Sequence, residues 1–367
     1  MEGTRKHSGL PRRVAPTRHP LLFPAPVLVA VTDTNALASR AWHAALDGRA
    51  EELFTGLART GRSPTFVAAH VPAELELRLP EATTRSTEQG LRLAQEALWG
   101  QIMPTVPVVD LPIRDFLHPR IQPLMRADPD LPKRLRGDVD DLGTAALAEF
   151  LAPAVILSAD SVFTRFGLGS TLADTWLPTA YAFLHAAGFE ATVTDTLELL
   201  EIVARCVLAL GRAAGAGVVD LARRHPAPAL ALVAALAFVV HKAGLLSREG
   251  TRTRLRQTGR AILPLLDAAS EAYENHGKAR AALQAVEPYG PLTLEQALAR
   301  HLARCGQPLT AGALAAAVTD VDLTAREVVQ VLGRHPAFTP LPGGRYRVGR
   351  PARRPTPERD GHVEGEM

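Results

Sequence analysis

The feature that most constrains this chain is residues 27–37, VLVAVTDTNAL. It is a short apolar run rich in β-branched residues, and it ends abruptly in Asp33-Thr34-Asn35. A parallel strand buried on both faces has this look, near-continuous hydrophobics and then polar residues where the strand emerges. Such a strand needs neighbours of its own kind. Residues 65–71, 105–110 (TVPVVD, weakened by Pro107) and 154–160 (AVILSAD) supply them, and 190–195 is a last candidate. Helical patterns lie between these runs, over 37–59, from Pro72 onward, over 81–100, over 137–153 and over 172–187. Alternation of strand and helix at this spacing predicts an α/β fold, a parallel sheet flanked by helices.

Beyond 195 the character changes. Residues 196–288 are alanine-rich and helical throughout. Within them lies 226–240, PAPALALVAALAFVV, an uncharged run of fifteen residues flanked by Arg223, Arg224, His241 and Lys242. That is shorter than the roughly 18–20 residues needed to cross a bilayer, so a helix buried in a bundle is expected rather than a membrane contact. Residues 289–350 show three short helical patterns, 294–304, 310–318 and 324–334. They are followed by FTPLPGGRYRV, two short strands around the turn Gly343-Gly344. This outline resembles a small winged-helix module. The basic, proline-rich segment 1–24 and the charged segment 351–367 read as disordered tails. Five regions result: 1–24, 25–195, 196–288, 289–350 and 351–367.

Composition narrows the function classes. Lys and Arg outnumber Asp and Glu by only 3 (41 against 38), so nucleic-acid contact must rest on local clusters of charge. Aromatics make up 5%, too few for wide base-stacking platforms. Cys206 and Cys305 have no CxxC spacing, which argues against zinc sites and disulfide frameworks and fits a reducing cytoplasm. The apolar run at 27–37 leads straight into an aspartate, so it reads as a strand rather than a secretion signal. Residues 113–136 form a proline-studded connector with Arg114, Arg120, Arg126, Lys133, Arg134 and Arg136. It is either solvated or in contact with phosphates.

Four acidic places recur where they can meet. Asp33 ends the first strand, and Glu74 opens the helix after the second. Asp138, Asp140 and Asp141 open the helix before the fourth strand, with Asp138 a good N-cap, and Asp160 ends that strand. Clustered carboxylates raise one another's pKa, so the group is costly without a cation. Hard oxygen ligands select Mg²⁺ or Mn²⁺. Such a site activates water and neutralises charge on a transferring phosphate.

Residues 27 to about 170 resemble a PIN domain, through VTDTNAL (Asp33), VPAELE (Glu74) and DVDDLGTAALAEFLAPAVILSAD (Asp140 or Asp141, then Asp160). The resemblance implies a metal-dependent ribonuclease, with Asp33, Glu74, Asp140 and Asp160 as catalytic acids and Asp138 and Asp141 as further metal ligands. Thr34, Asn35 and Ser158 would support them. In the C-terminal module, Arg326, Arg345 and Arg347 are expected to contact nucleic acid, with protein contact equally open. The leading expectation is a cytoplasmic, toxin-like endoribonuclease acting on RNA, with DNA and an inhibitor protein as further candidate partners. The rival is a catalytically idle scaffold that regulates through its C-terminal module.

Overall fold

The structure, a computed structural model, describes residues 28–47, 53–81, 87–116, 119–126, 130–132, 136–168, 175–192, 267, 270–271, 273–318 and 323–355. The expectations for the N-terminal tail, for 226–240 and the alanine-rich region around it up to 266, for Lys133 and Arg134, and for 356–367 lie outside these residues. Among the described residues, no helix is long and apolar enough to cross a membrane.

Four strands, β1 (Val29–Thr32), β2 (Thr65–Ala68), β3 (Val108–Val109) and β4 (Ala154–Leu157), form a parallel sheet in the order β3-β2-β1-β4. All but β3 are four residues long, and every residue of the four is buried. The near-continuous apolar runs in the sequence record this two-sided burial. From the central β1 the chain builds outward to β2 and β3 on one side and later to β4 on the other. The reversal of strand order falls between β1 and β4, which stay paired through their carboxyl ends, and the crevice outside such ends is where open α/β sheets bind ligands.

Around the sheet run α1 (Thr34–Asp47), α2 (Leu53–Thr60), α3 (Val71–Arg78), α4 (Glu88–Ala97), α5 (Leu142–Leu151), α6 (Ser161–Arg165) and α7 (176–192). After α8 (273–282) come α9 (Leu294–Cys305), β5 (Leu309–Thr310), α10 (Ala311–Ala317), α11 (Ala325–Arg334), β6 (Phe338–Leu341) and β7 (Arg345–Val348). The last three strands make a small antiparallel sheet in the order β5-β7-β6. Gly343 and Gly344 turn the hairpin at positive φ (79° and 65°), which glycine adopts at least cost.

Local sequence chemistry sets several boundaries. The pattern over 37–59 is divided between α1 and α2. Pro72 sits in the first turn of α3, where a missing N–H costs nothing. Two expectations need correction. Glu190 does not begin a strand: it lies on α7, buried, in a 2.7 Å ion pair with Arg62. Asp138 does not cap α5, which starts only at Leu142; its Oδ1 instead accepts from the Asp140 N–H at 3.0 Å.

All ten residues of α5 are buried. Its sequence, LGTAALAEFL, is apolar on every side, the mark of a helix covered all round. The parallel sheet covers one face and α9 another. The ring of His335, just past α11, stacks on Phe150 at 5.3 Å and 3° between planes. Glu149, 2% exposed, fixes the contact: Oε1 accepts from the Tyr289 N–H and Oε2 pairs with Arg120 at 3.3 Å, while its backbone carbonyl accepts from Arg300 at 3.3 Å. Arg120, a candidate phosphate contact on the connector, is thus committed to an internal pair. Backbone bridges close both edges of the parallel sheet, Arg350 against Val108 (2.8 Å both ways) and Val286 against Ala154 (2.7 and 3.2 Å).

Glu149→Ala should strand the Tyr289 N–H and remove the carboxylate that Arg120 pairs with. Unfolding free energy should fall by about 3–5 kcal/mol, read from denaturant curves of the two proteins. A loss within experimental error would show that Glu149 does not anchor the C-terminal segment.

Candidate metal centre

Asp33 is the first residue after β1 and only 4% exposed. One carboxylate oxygen, Oδ1, accepts from the Ala36 N–H at 2.8 Å, capping α1, and Oδ2 accepts from the Ser158 hydroxyl. Ser158, buried just after β4, also accepts from the Asp160 N–H at 2.8 Å. Asp160 in turn caps α6, its Oδ1 accepting from the Val162 N–H at 2.8 Å. These bonds lace together the two strand ends that flank the crevice. From the side, the hydroxyl of Thr34 donates to Glu74 Oε2 at 2.6 Å, tying α1 to the first turn of α3.

Asp141 stands at the N-cap position of α5 but caps nothing, and its buried Oδ2 has no hydrogen-bond partner among the described residues. Burial, then the carboxylates of Asp160, Asp33, Asp138 and Glu74, push its pKa from 3.8 up to about 8. Asp33 is pushed up to about 6, chiefly by burial and further by Asp160 and Glu74, with the Ser158 and Ala36 hydrogen bonds opposing. These mutual effects define the cluster. Asp33, Glu74, Asp141 and Asp160 share one electrostatic environment, with Asp138 at its fringe. Asp140, placed by sequence among the catalytic acids, is exposed and acts on His70 instead. Asp141, by contrast, takes part in the cluster.

His70 went unnoticed in the sequence. It precedes α3 and lies four residues before Glu74, and its Nε2 is 4.0 Å from Glu74 Oε2. Helical spacing from Glu74 was the signal available. Burial lowers its pKa, while Glu74 and Asp140 act in the opposite sense. It lines a cleft of about 610 Å³ with Glu74, Arg78, Val139, Asp140 and Gly143. A Cβ on Gly143 would come within 2.6 Å of His70 Nδ1, so any larger residue there would push the imidazole out of its present position. Asn35 is exposed and faces a neighbouring cleft of about 470 Å³ with Trp42, His43 and Arg78, rather than supporting the carboxylates.

The donor set is all hard oxygen, and the unpartnered Asp141 Oδ2 together with the mutual repulsion is what a cation would relieve. Among the described residues no three His, Cys, Asp or Glu side chains form a ready-made cage. Mg²⁺ commonly uses one or two carboxylates and keeps several waters, so these residues fit that class of ion.

The arginines of the C-terminal segment do not form one outward face. Arg326 is exposed on the first turn of α11, and Arg345 is exposed with its Nε donating to the Pro342 carbonyl at 3.3 Å. Arg347, expected on the hairpin surface, is instead half-buried in a cleft against the parallel sheet. No family model, curated protein or solved structure matches the chain.

The raised pKa of Asp141 carries a sign. Between about 4 and 8 the unfolded chain has released this proton while the folded protein still holds it, so stability declines as pH rises through that window and levels off above it. Asp33 adds to the decline between about 4 and 6. Chelator-treated protein should melt at lower temperature at pH 8 than at pH 5, and Asp141→Asn should remove most of that difference. Added Mg²⁺ should raise the melting temperature more at pH 8 than at pH 5. Identical pH profiles for the two proteins would separate Asp141 from the cluster.

Proposed function

We propose that this protein is a Mg²⁺- or Mn²⁺-dependent ribonuclease of PIN-like fold that hydrolyses phosphodiester bonds at the carboxyl ends of β1 and β4. The observation that carries the reading is the convergence of Asp33, Glu74, Asp141 and Asp160 from four separate segments onto one crevice, where their charges raise the proton affinity of Asp33 and Asp141. A scaffold has no need to hold repelling carboxylates together.

Asp33 and Asp141 would hold the ion, with Asp160 and Glu74 near enough to orient its waters. When bound, the ion supplies charge neutralisation at the phosphate and a more acidic water. The protein's own groups do the rest. Ser158 fixes the rotamer of Asp33, Thr34 fixes that of Glu74, and the adjoining cleft with His70 and Arg78 offers donors to substrate phosphates. The helix, strand, two helices and hairpin from α9 to β7 support a winged-helix reading of the C-terminal segment. Arg326 and Arg345 are exposed on it, available to nucleic acid or to a partner protein.

Asp33→Asn tests the assignment on two axes. Asparagine caps a helix as well as aspartate does, so the bond to Ala36 survives. Loss of a buried, repelled charge should leave the metal-free protein as stable as before or slightly more so. Mn²⁺-dependent cleavage of labelled RNA should nonetheless fall by several orders of magnitude. Stability and activity would move in opposite directions, which a purely capping aspartate does not produce. Full cleavage by Asp33→Asn, or none by the unaltered protein on RNA and DNA oligonucleotides, would favour the scaffold reading.

A further inference from the structure

The first turns of α8 are exposed, and His276 is their one buried side chain among the described residues. Ala279, Arg280 and Leu283 continue the same stripe at helical spacing, the first two half-buried and Leu283 buried. A stripe that faces a core normally opens on an apolar residue. Here an imidazole fills that place, its ring against Phe183 of α7 at 5.1 Å between centroids and 47° between planes. Farther along, Val286 bridges Ala154 at the edge of β4, and the Glu287 carbonyl accepts from Arg120 at 2.6 Å. The later turns are thus anchored at the sheet, whereas the first turns rest on His276.

Neither ring nitrogen of His276 has a hydrogen-bond partner. A neutral imidazole carries one N–H and one lone pair, so burying both unpaired costs stability that a phenylalanine would not lose. The charged groups that act on the ring are Glu190 on α7, Arg62 ahead of β2 and Arg280 on α8 itself. Glu190 is the acid among them, and Arg62 already holds it in a two-pronged pair at 2.7 and 3.3 Å. Burial lowers the His276 pKa from its ordinary 6.5, with Glu190 opposing and Arg62 and Arg280 adding to the fall. An opened α8 therefore binds this proton more tightly than the closed one. The contact's contribution to stability is complete above about pH 6.5 and is lost as pH falls below it, the opposite sign to Asp141.

We infer that His276 is an acid-operated latch on α8. The neutral ring holds the first turns of the helix against α7, and a proton on the ring releases them while the rest of the fold stays closed. The latch does not rest on the nuclease reading, since His276 is not among the groups that act on Asp33 or Asp141.

Hydrogen exchange of the full chain, read by mass spectrometry at pH 5 and pH 8 and normalised for the intrinsic pH dependence of exchange, tests this. Peptides covering 273–283 should lose protection by about tenfold at pH 5, while those of α5 keep theirs. His276→Phe leaves a ring against Phe183 that cannot take up a proton, and should hold the same protection at both pH values. Asp141→Asn should leave the acid loss at 273–283 in place. Equal protection of 273–283 at both pH values in the unaltered protein, or the same acid loss in His276→Phe, would overturn the latch. An equally large loss in α5 would also overturn it, because the whole protein would then be opening. Should His276→Phe fail to fold, His276→Leu takes its place with the same expectations.

Discussion

The rest of this structure depends on the burial of α5 on all sides. A ten-residue helix with no polar face cannot be covered by a sheet alone, since a sheet shields one stripe of it. The second cover comes from α9, with the stacked rings of Phe150 and His335 adding to it, and the C-terminal segment is therefore part of the α/β core rather than an appendage. The hydrophobic cluster reflects this. It runs without a break from Leu28 and Val31 of the first strand to Phe338 and Val348 of the last two. Sheet edges are closed by the same segment, Val286 on the β4 side and Arg350 on the β3 side.

The amino end of α5 carries the consequence for chemistry. Asp141 sits at a helix start, where a carboxylate usually caps, yet its side chain caps nothing and faces other acids. Asp33 and Asp160 behave differently, each giving one oxygen to a helix cap while remaining in the cluster. The capping reading and the functional reading are thus both satisfied at those two positions. Only at Asp141 does the local structural role drop out. That makes Asp141 the acid whose placement has the least to do with local folding.

What was legible in the sequence follows from the same distinction. Two-sided burial forces long β-branched runs, so β1, β2 and β4 were visible and even the two-residue β3 left a trace around Pro107. Acids at strand ends were visible because topology alone brings them together. Choosing among Asp138, Asp140 and Asp141 was not, because a tight turn decides which way each points, and a turn of three similar residues has no period to read. Glu190 looked like a strand start because an acid on an apolar helix face has no sequence signature; its partner, Arg62, is 128 residues away in the chain. Docking of the C-terminal segment was hidden for a related reason. Phe150, His335 and Arg300 are ordinary residues on their own elements, and only their juxtaposition makes an interface.

That interface gives the carboxylate cluster a dependence on residues that never touch it. α5 spans roughly 15 Å, with Asp141 before its first residue and Glu149 near its last. Anchors at the Glu149 end hold the helix in place, and burial at its other end is the largest cause of the raised Asp141 pKa. Loosening the far end would let water reach Asp141, returning its pKa toward the ordinary carboxylate range while leaving every acid in place. A lesion in the C-terminal segment would then act on the cluster by changing its solvation rather than by removing a ligand. The two kinds of lesion differ in kind: loss of an acid removes a titrating group altogether, whereas loss of cover keeps the group and moves its titration to lower pH.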